Sequence, residues 1–329
     1  MTKTWETSND KRIVAIGGGT GLSNLLRVLK GLGYSPCAVV AMTDNGGSSG
    51  RLREDFGMLP PGDVRNCLLA LSCFEPDMER LLNYRFPEES SLCGHNLGNL
   101  LLAAIMQAEG LDFGAATAKL SDILAIQGQV LPVTLADVTL AAVMEDGAVL
   151  QGECEIAADR REIREVFLQS SSPCRAREEV LQAIGEAERI FIGPGSLYSS
   201  LITNLLVPGI AQALKESPAE VWFIGNMATE PSELATAELS HCLAALEYHY
   251  RRVSGDRGRL VDRVIANIGE YSRAGLARLA EGGSQPLVCD RAKLAAWGVE
   301  VIAGDFVDNL NVWQHDKEKL AAVLLNEVQ

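Results

Sequence analysis

Residues 12–29, RIVAIGGGTGLSNLLRVL, constrain the whole chain. A short apolar run stops at three glycines, and Leu22, Leu25, Leu26 and Leu29 then recur at helical spacing. Strand, glycine turn and amphipathic helix in that order open a doubly wound sheet. The pattern recurs along the chain. CAVVAMT (37–43) reads as a second buried strand, and GDVRNCLLALS (62–72) and NLGNLLLAAIMQAEG (96–110) read as helices. RIFIG (189–193), EVWFIGN (220–226), LVDRVIAN (260–267), PLVCD (286–290) and VEVIAGDF (299–306) supply further strands. ELSHCLAALEYHY (238–250) and DKEKLAAVLLNEV (316–328) supply helices. The expected fold is α/β, with a doubly wound, mostly parallel sheet.

The middle interrupts this rhythm. Asp146-Gly147 stands between two alternating runs, a hairpin signal. Residues 111–175 are therefore expected to form an insertion with antiparallel strands and the helix DFGAATAKLSDIL. The expectation is one domain over 11–329, preceded by a polar tail at 1–10.

Composition narrows the partners. With 29 basic and 43 acidic side chains the net charge is −14, which argues against nucleic acid, whose phosphates recruit clustered cations. No apolar stretch reaches the ~18 residues of a membrane span, and MTKTWETSNDKR is no secretory leader, so the expected location is the cytoplasm. The eight cysteines include no CxxC pair and read mostly as small buried hydrophobes.

Chemistry is concentrated at the ends of the apolar runs. In GGGTGLS (17–23), Gly18, Gly19, Thr20 and Gly21 pass from strand to helix, where bare N–H groups and the positive dipole end favour phosphate. The spacing is not G-x-G-x-x-G, and no P-loop lysine follows. TDNGGSSGRLR (43–53) reads as a second glycine-rich anion loop: Gly46, Gly47 and Ser48 offer donors, and Arg51 can fork onto an oxyanion. Asp44 sits where a dinucleotide fold places its ribose-binding acid, and can instead hold a metal. Asp63 either caps the next helix or lines a pocket, with Arg65 and Asn66 in its first turn. CGHNLGNLLLAA (93–104) brings His95 and Asn99 to a helix start, and His95 can act as general acid or base. GPGSLYSSLITNLL (193–206) ends another strand with Gly195, Ser196 and Tyr198; Asn204 and Asn226 follow. Candidate catalytic groups are Asp44, Asp63 and His95.

IGGGTGLS, TDNGGSSGRLR, PPGDVRNCLLAL, GHNLGNLLLAA and GPGSLYSSLITNLLVPGI, in this order, closely resemble the bacterial gluconeogenesis factor family (YvcK-like proteins), related to 2-phospho-L-lactate transferase. The resemblance implies a Rossmann-like cytoplasmic homodimer, with a regulatory protein partner, that binds a nucleotide sugar such as UDP-N-acetylglucosamine. It also implies a link to gluconeogenic growth, cell shape and wall synthesis. Carried onto this chain, GGGTGL and GPGSLY would hold phosphates, and Asp44, Asn45, Ser48, Arg51, Asp63, Asn66, His95, Asn99, Asn204 and Asn226 would line the pocket. Departures are Asn45, where many members carry a second acid, MATEPSEL (227–234), and Leu279 and Gln314, where relatives carry Tyr and Arg for a uridine nucleotide.

Two other readings remain: a transferase of a phosphate-linked group using Mg²⁺, and an NAD-dependent oxidoreductase, for which the fingerprint spacing is missing.

Overall fold

The structure, a computed structural model, describes residues 11–231 and 236–328. The polar stretch 1–10 and residues 232–234 of MATEPSEL lie outside the described residues. Seven strands form a wholly parallel sheet: β1 (Ile13–Gly17), β2 (Cys37–Val40), β3 (Gln129–Pro132), β7 (Arg189–Ile192), β8 (Glu220–Ile224), β9 (Arg263–Asn267) and β10 (Glu300–Gly304), in the order β10-β9-β8-β7-β1-β2-β3. Helices cover both faces, so the central strands are apolar throughout; Ile13, Val14, Ala15 and Ile16 of β1 are all buried. Ala15 pairs with Ala38 on one side and Phe191 on the other.

The chain moves outward from β1 through β2 and β3, then returns to β7 and runs the opposite way. The strand order thus reverses between β1 and β7, where such sheets leave a crevice at the strands' carboxyl ends. Helix α1 (Gly19–Gly31) follows β1 and buries Leu22, Leu25, Leu26 and Leu29 completely. Each contributes roughly 2 kcal/mol of burial energy before conformational entropy is counted.

Three sequence expectations change. NGGSSGR was expected to be a loop, but only Asn45 and Gly46 precede helix α2 (Gly47–Phe56). Its second and third residues, Ser48 and Ser49, are buried, so tertiary packing overrides the local glycine signal. Helix α3 (Gly62–Leu71) follows, then α4 (Glu75–Leu82) and α5 (Leu97–Glu109). PLVCD joins neither sheet; Pro286 and Val288 make single bridges to Ala228 and Glu238. The insertion also begins later than 111. Helix α6 (Phe113–Ile123) leads into β3, which extends the main sheet.

What stands apart is a small antiparallel sheet, in which β4 (Val138–Met144) lies between β5 (Val149–Gln151) and β6 (Ile163–Ser170). The short helix α7 (Glu153–Ala158) joins β5 to β6. Asp146-Gly147 makes the β4–β5 turn, with Gly147 at φ +85°. The cysteines are free thiols; Cys37, Cys67 and Cys242 are buried, whereas Cys73 and Cys154 are exposed. Among the described residues no single helix is long and apolar enough to cross a membrane. Leu197–Leu206 and Ile210–Glu216 pass such a test only as a pair bent by 76°.

Candidate functional site at the strand reversal

The turns after β1 and β7 meet at the reversal. A Cβ on Gly21 would lie 2.7 Å from the Pro194 carbonyl carbon and closer still to its oxygen, so only glycine allows the two turns this approach. A Cβ on Gly18 would stand 2.6 Å from Asp63 Oδ2 and 3.0 Å from Ser200 Oγ. Asn226, just past β8, fixes the second turn. It accepts from the Gly195 N–H at 3.0 Å and donates to the Gly195 carbonyl at 2.8 Å. Asn226→Ala leaves both groups without this partner and is expected to cost about 1–3 kcal/mol. Urea melts check this, together with at least a tenfold loss of affinity for any ligand of the turn.

Asp44 and Asp63 face this junction from the next two elements. Asp44 Oδ1 accepts from the Gly46 N–H at 2.8 Å. Asp63 lies in the first turn of α3 but does not cap it; its carboxylate accepts instead from the Gly19 N–H. Burial, reinforced by the Asp44 charge, pushes Asp63 up to about 6 against the opposing Gly19 N–H and Arg65.

These groups wall a cavity of about 590 Å³. Of the residues singled out from sequence, Gly18, Gly19, Thr20, Gly21, Asp44, Asp63, Gly195, Ser196, Asn226 and Gln314 line it. The others sit elsewhere. Asn45 reaches the insertion, accepting from the Cys154 N–H at 3.0 Å and donating to Glu155 Oε2 at 3.2 Å. Gly46 precedes α2, and Gly47 opens it. Ser48 Oγ accepts from Asn99 Nδ2 at 3.2 Å and lies 3.3 Å from His95 Nδ1. Asn99 and Asn66 accept from the two Nη atoms of Arg65, at 2.8 and 2.7 Å. Arg51 is exposed beside Gly94. Tyr198 is buried and donates to the Ile163 carbonyl at 3.5 Å. Asn204, fully buried, donates to the Gly17 and Ser200 carbonyls at 3.0 and 2.6 Å, holding the end of β1.

His95 is nine-tenths buried, and burial and Arg51 lower its proton affinity, which favours the neutral ring. It does not line the cavity.

Of the far wall, the sequence singled out only Gln314, as a departure from the relatives' Arg, and missed its neighbours. Asn24 on α1 donates to Gln314 Oε1 at 2.6 Å, and Trp313, His315 and Lys317 continue that wall. Glu153 of α7 lines the cavity from the insertion. Burial pushes His315 down to about 4, so its ring is neutral near physiological pH. The available signal was the polar-aromatic run NVWQHDK before the last helix, Lys317–Val328. Leu279, by contrast, is fully buried in a small cluster with Ala228 and Val312.

Among the described residues no group of three or more His, Cys, Asp or Glu could hold a metal ion. The Asp44–Asp63 pair still suits Mg²⁺, which binds one or two carboxylates and takes its remaining oxygens from substrate phosphates and water.

Residues 13–307 match the family described as 2-phospho-L-lactate transferase CofD. The chain is 39% identical over 316 residues to the gluconeogenesis factor of Bacillus subtilis, covering 96% of this chain and 97% of that protein. It is 40% identical over 318 residues to the gluconeogenesis factor of Halalkalibacterium halodurans, with 96% of each chain covered. A crystal structure of a Bacillus halodurans protein superimposes with a TM-score of 0.89 at 40% identity, covering 96% of this chain and 99% of that one. With the parallel sheet, its strand reversal and matching sequence from end to end, the chain belongs to the CofD-like family of the gluconeogenesis factors.

Proposed function

We propose that this protein, as one Rossmann-like domain, binds a nucleotide sugar of the UDP-N-acetylglucosamine kind at the β1/β7 reversal. The observation that carries the reading is the convergence of two glycine turns, Gly18–Gly21 and Gly195–Ser196, on one cavity. The Gly19 and Gly195 N–H groups serve Asp63 and Asn226, and the N–H groups of Thr20 and Gly21, in the first turn of α1, suit a diphosphate. The polar far wall of Asn24, Gln314 and Trp313 suits the remainder of an extended ligand. Two relatives named gluconeogenesis factors support a role in central carbon metabolism. In this reading the protein is a cytoplasmic homodimer that acts on metabolism, cell shape and wall synthesis through a protein partner.

The acid pair favours a second reading, a metal-dependent transferase of a phosphate-linked group, in keeping with the family's description. Asp44, already oriented by the Gly46 N–H, would hold Mg²⁺, which would neutralise charge on the diphosphate. Asp63, with proton affinity near neutrality, can take the proton of an attacking hydroxyl. The turns hold the diphosphate still while that proton moves.

Calorimetric titration with UDP-N-acetylglucosamine, other nucleotide sugars and NAD⁺, each with and without Mg²⁺, tests both readings. Saturable nucleotide-sugar binding without product is expected of a regulatory binder. Mg²⁺-dependent release of a nucleotide favours the transferase, and binding of NAD⁺ alone overturns both.

A further inference from the structure

The residues set aside by the cavity form a cluster of their own. Arg85 Nη1 lies 3.4 Å from the Gly94 carbonyl, and a Cβ built on Gly94 would stand 2.9 Å from Arg51 Nη2. Two exposed guanidinium groups therefore bracket one glycine. His95 adjoins it, held through Ser48 to Asn99, and Asn99 binds the third arginine, Arg65. Arg65 is more than nine-tenths buried, and its Nε has no hydrogen-bond partner among the described residues.

In a chain of net charge −14, cations so close together are normally neutralised by carboxylates. Arg53, two residues from Arg51 on α2, is neutralised in this way by Asp137. Among the described residues, Arg51, Arg65 and Arg85 form no ion pair. Asp55 acts on His95, and Asp63 and Asp44 act on Arg65, through their charges alone.

We infer that Arg51 and Arg85, backed by His95 and Arg65, form a second anion site for the phosphoryl or carboxylate group of a small molecule. Arginine forks suit both groups, and paired forks hold them more firmly than one. None of these residues lines the β1/β7 cavity, although Arg65 feels the charges of Asp44 and Asp63, which do. The inference therefore stands whether or not the cavity holds a nucleotide sugar.

Histidine side-chain NMR tests it, because His95 reports on the cluster and His315 on the cavity wall. The full chain is titrated with inorganic phosphate, with succinate as the carboxylate arm, and with chloride at matched ionic strength. Phosphate or succinate is expected to move the His95 resonance saturably, with chloride inert. Arg51→Gln and Arg85→Gln are each expected to weaken that response at least tenfold, and Arg51→Lys to restore part of it, without changing thermal melts. The inference fails if His95 does not respond, if chloride moves it equally, or if both glutamine variants titrate as the native protein does. Movement of His315 alone also counts against it and leaves the cavity reading intact.

Discussion

Gly21→Ala is expected to lower nucleotide-sugar affinity by about 100-fold and to destabilise the fold by about 2–3 kcal/mol. The added methyl would meet backbone rather than a flexible side chain, with the Pro194 carbonyl carbon only 2.7 Å away. Real Cβ atoms do not come so close, so one of the two turns must retreat. Both turns close the same cavity, and retreat of either changes its shape. Gly31→Ala is the matched control. It lies in the same helix with nothing within 4 Å of its Cβ, so it is expected to be neutral or to stabilise by about 0.5–1 kcal/mol. Urea melts and calorimetry on the pair decide it. A Gly21→Ala protein that binds like the native one would sink the two-turn site.

Asp63→Asn is expected to make the protein more stable at pH 7.5 while removing any Mg²⁺-dependent step. Asp63 is pushed up to about 6 in the fold from an ordinary 3.8, so the native state holds its proton more tightly than the unfolded chain does. That preference stabilises the fold fully below pH 3.8 and is lost as pH rises through about 6. Above that range the ionised carboxylate carries a penalty of at most about 3 kcal/mol, since each tenfold change in proton affinity is worth about 1.4 kcal/mol. The asparagine variant should therefore gain on the native protein between about pH 4 and about pH 6.5 and keep a constant advantage above. Melts across this range measure the difference between the two proteins. Parallel curves would refute a strained acid at this position.

Much of this architecture was legible because it is written locally. The leucines of α1 repeat at helical spacing, and the glycines after β1 and β7 mark turns whatever surrounds them. Asp44 and Asp63 were found by their place after a strand and at a helix start. What stayed hidden depends on distant partners. Ser48 and Ser49 look like loop residues until α5 and α3 bury them; Ser48 Oγ then accepts from the Asn96 N–H and from Asn99. Asn45 reads as a ligand donor, yet its side chain is committed to α7, more than a hundred positions later. Arg51 reads as part of the phosphate loop because it follows the glycines by a few residues. On a helix those few residues turn it toward Gly94 instead. Trp313 and His315 belong to no glycine turn or strand end and, with Gln314, become a wall only when the chain's last helix packs against α1.

That wall bears on how the protein is made. The Asn24–Gln314 hydrogen bond joins positions 290 apart, and every strand of the parallel sheet precedes Gln314 in the chain. A ribosome stalled before Gln314 would have made the whole sheet while its ligand seat still lacked one side. On the proposed reading, competence to bind arrives only late in synthesis.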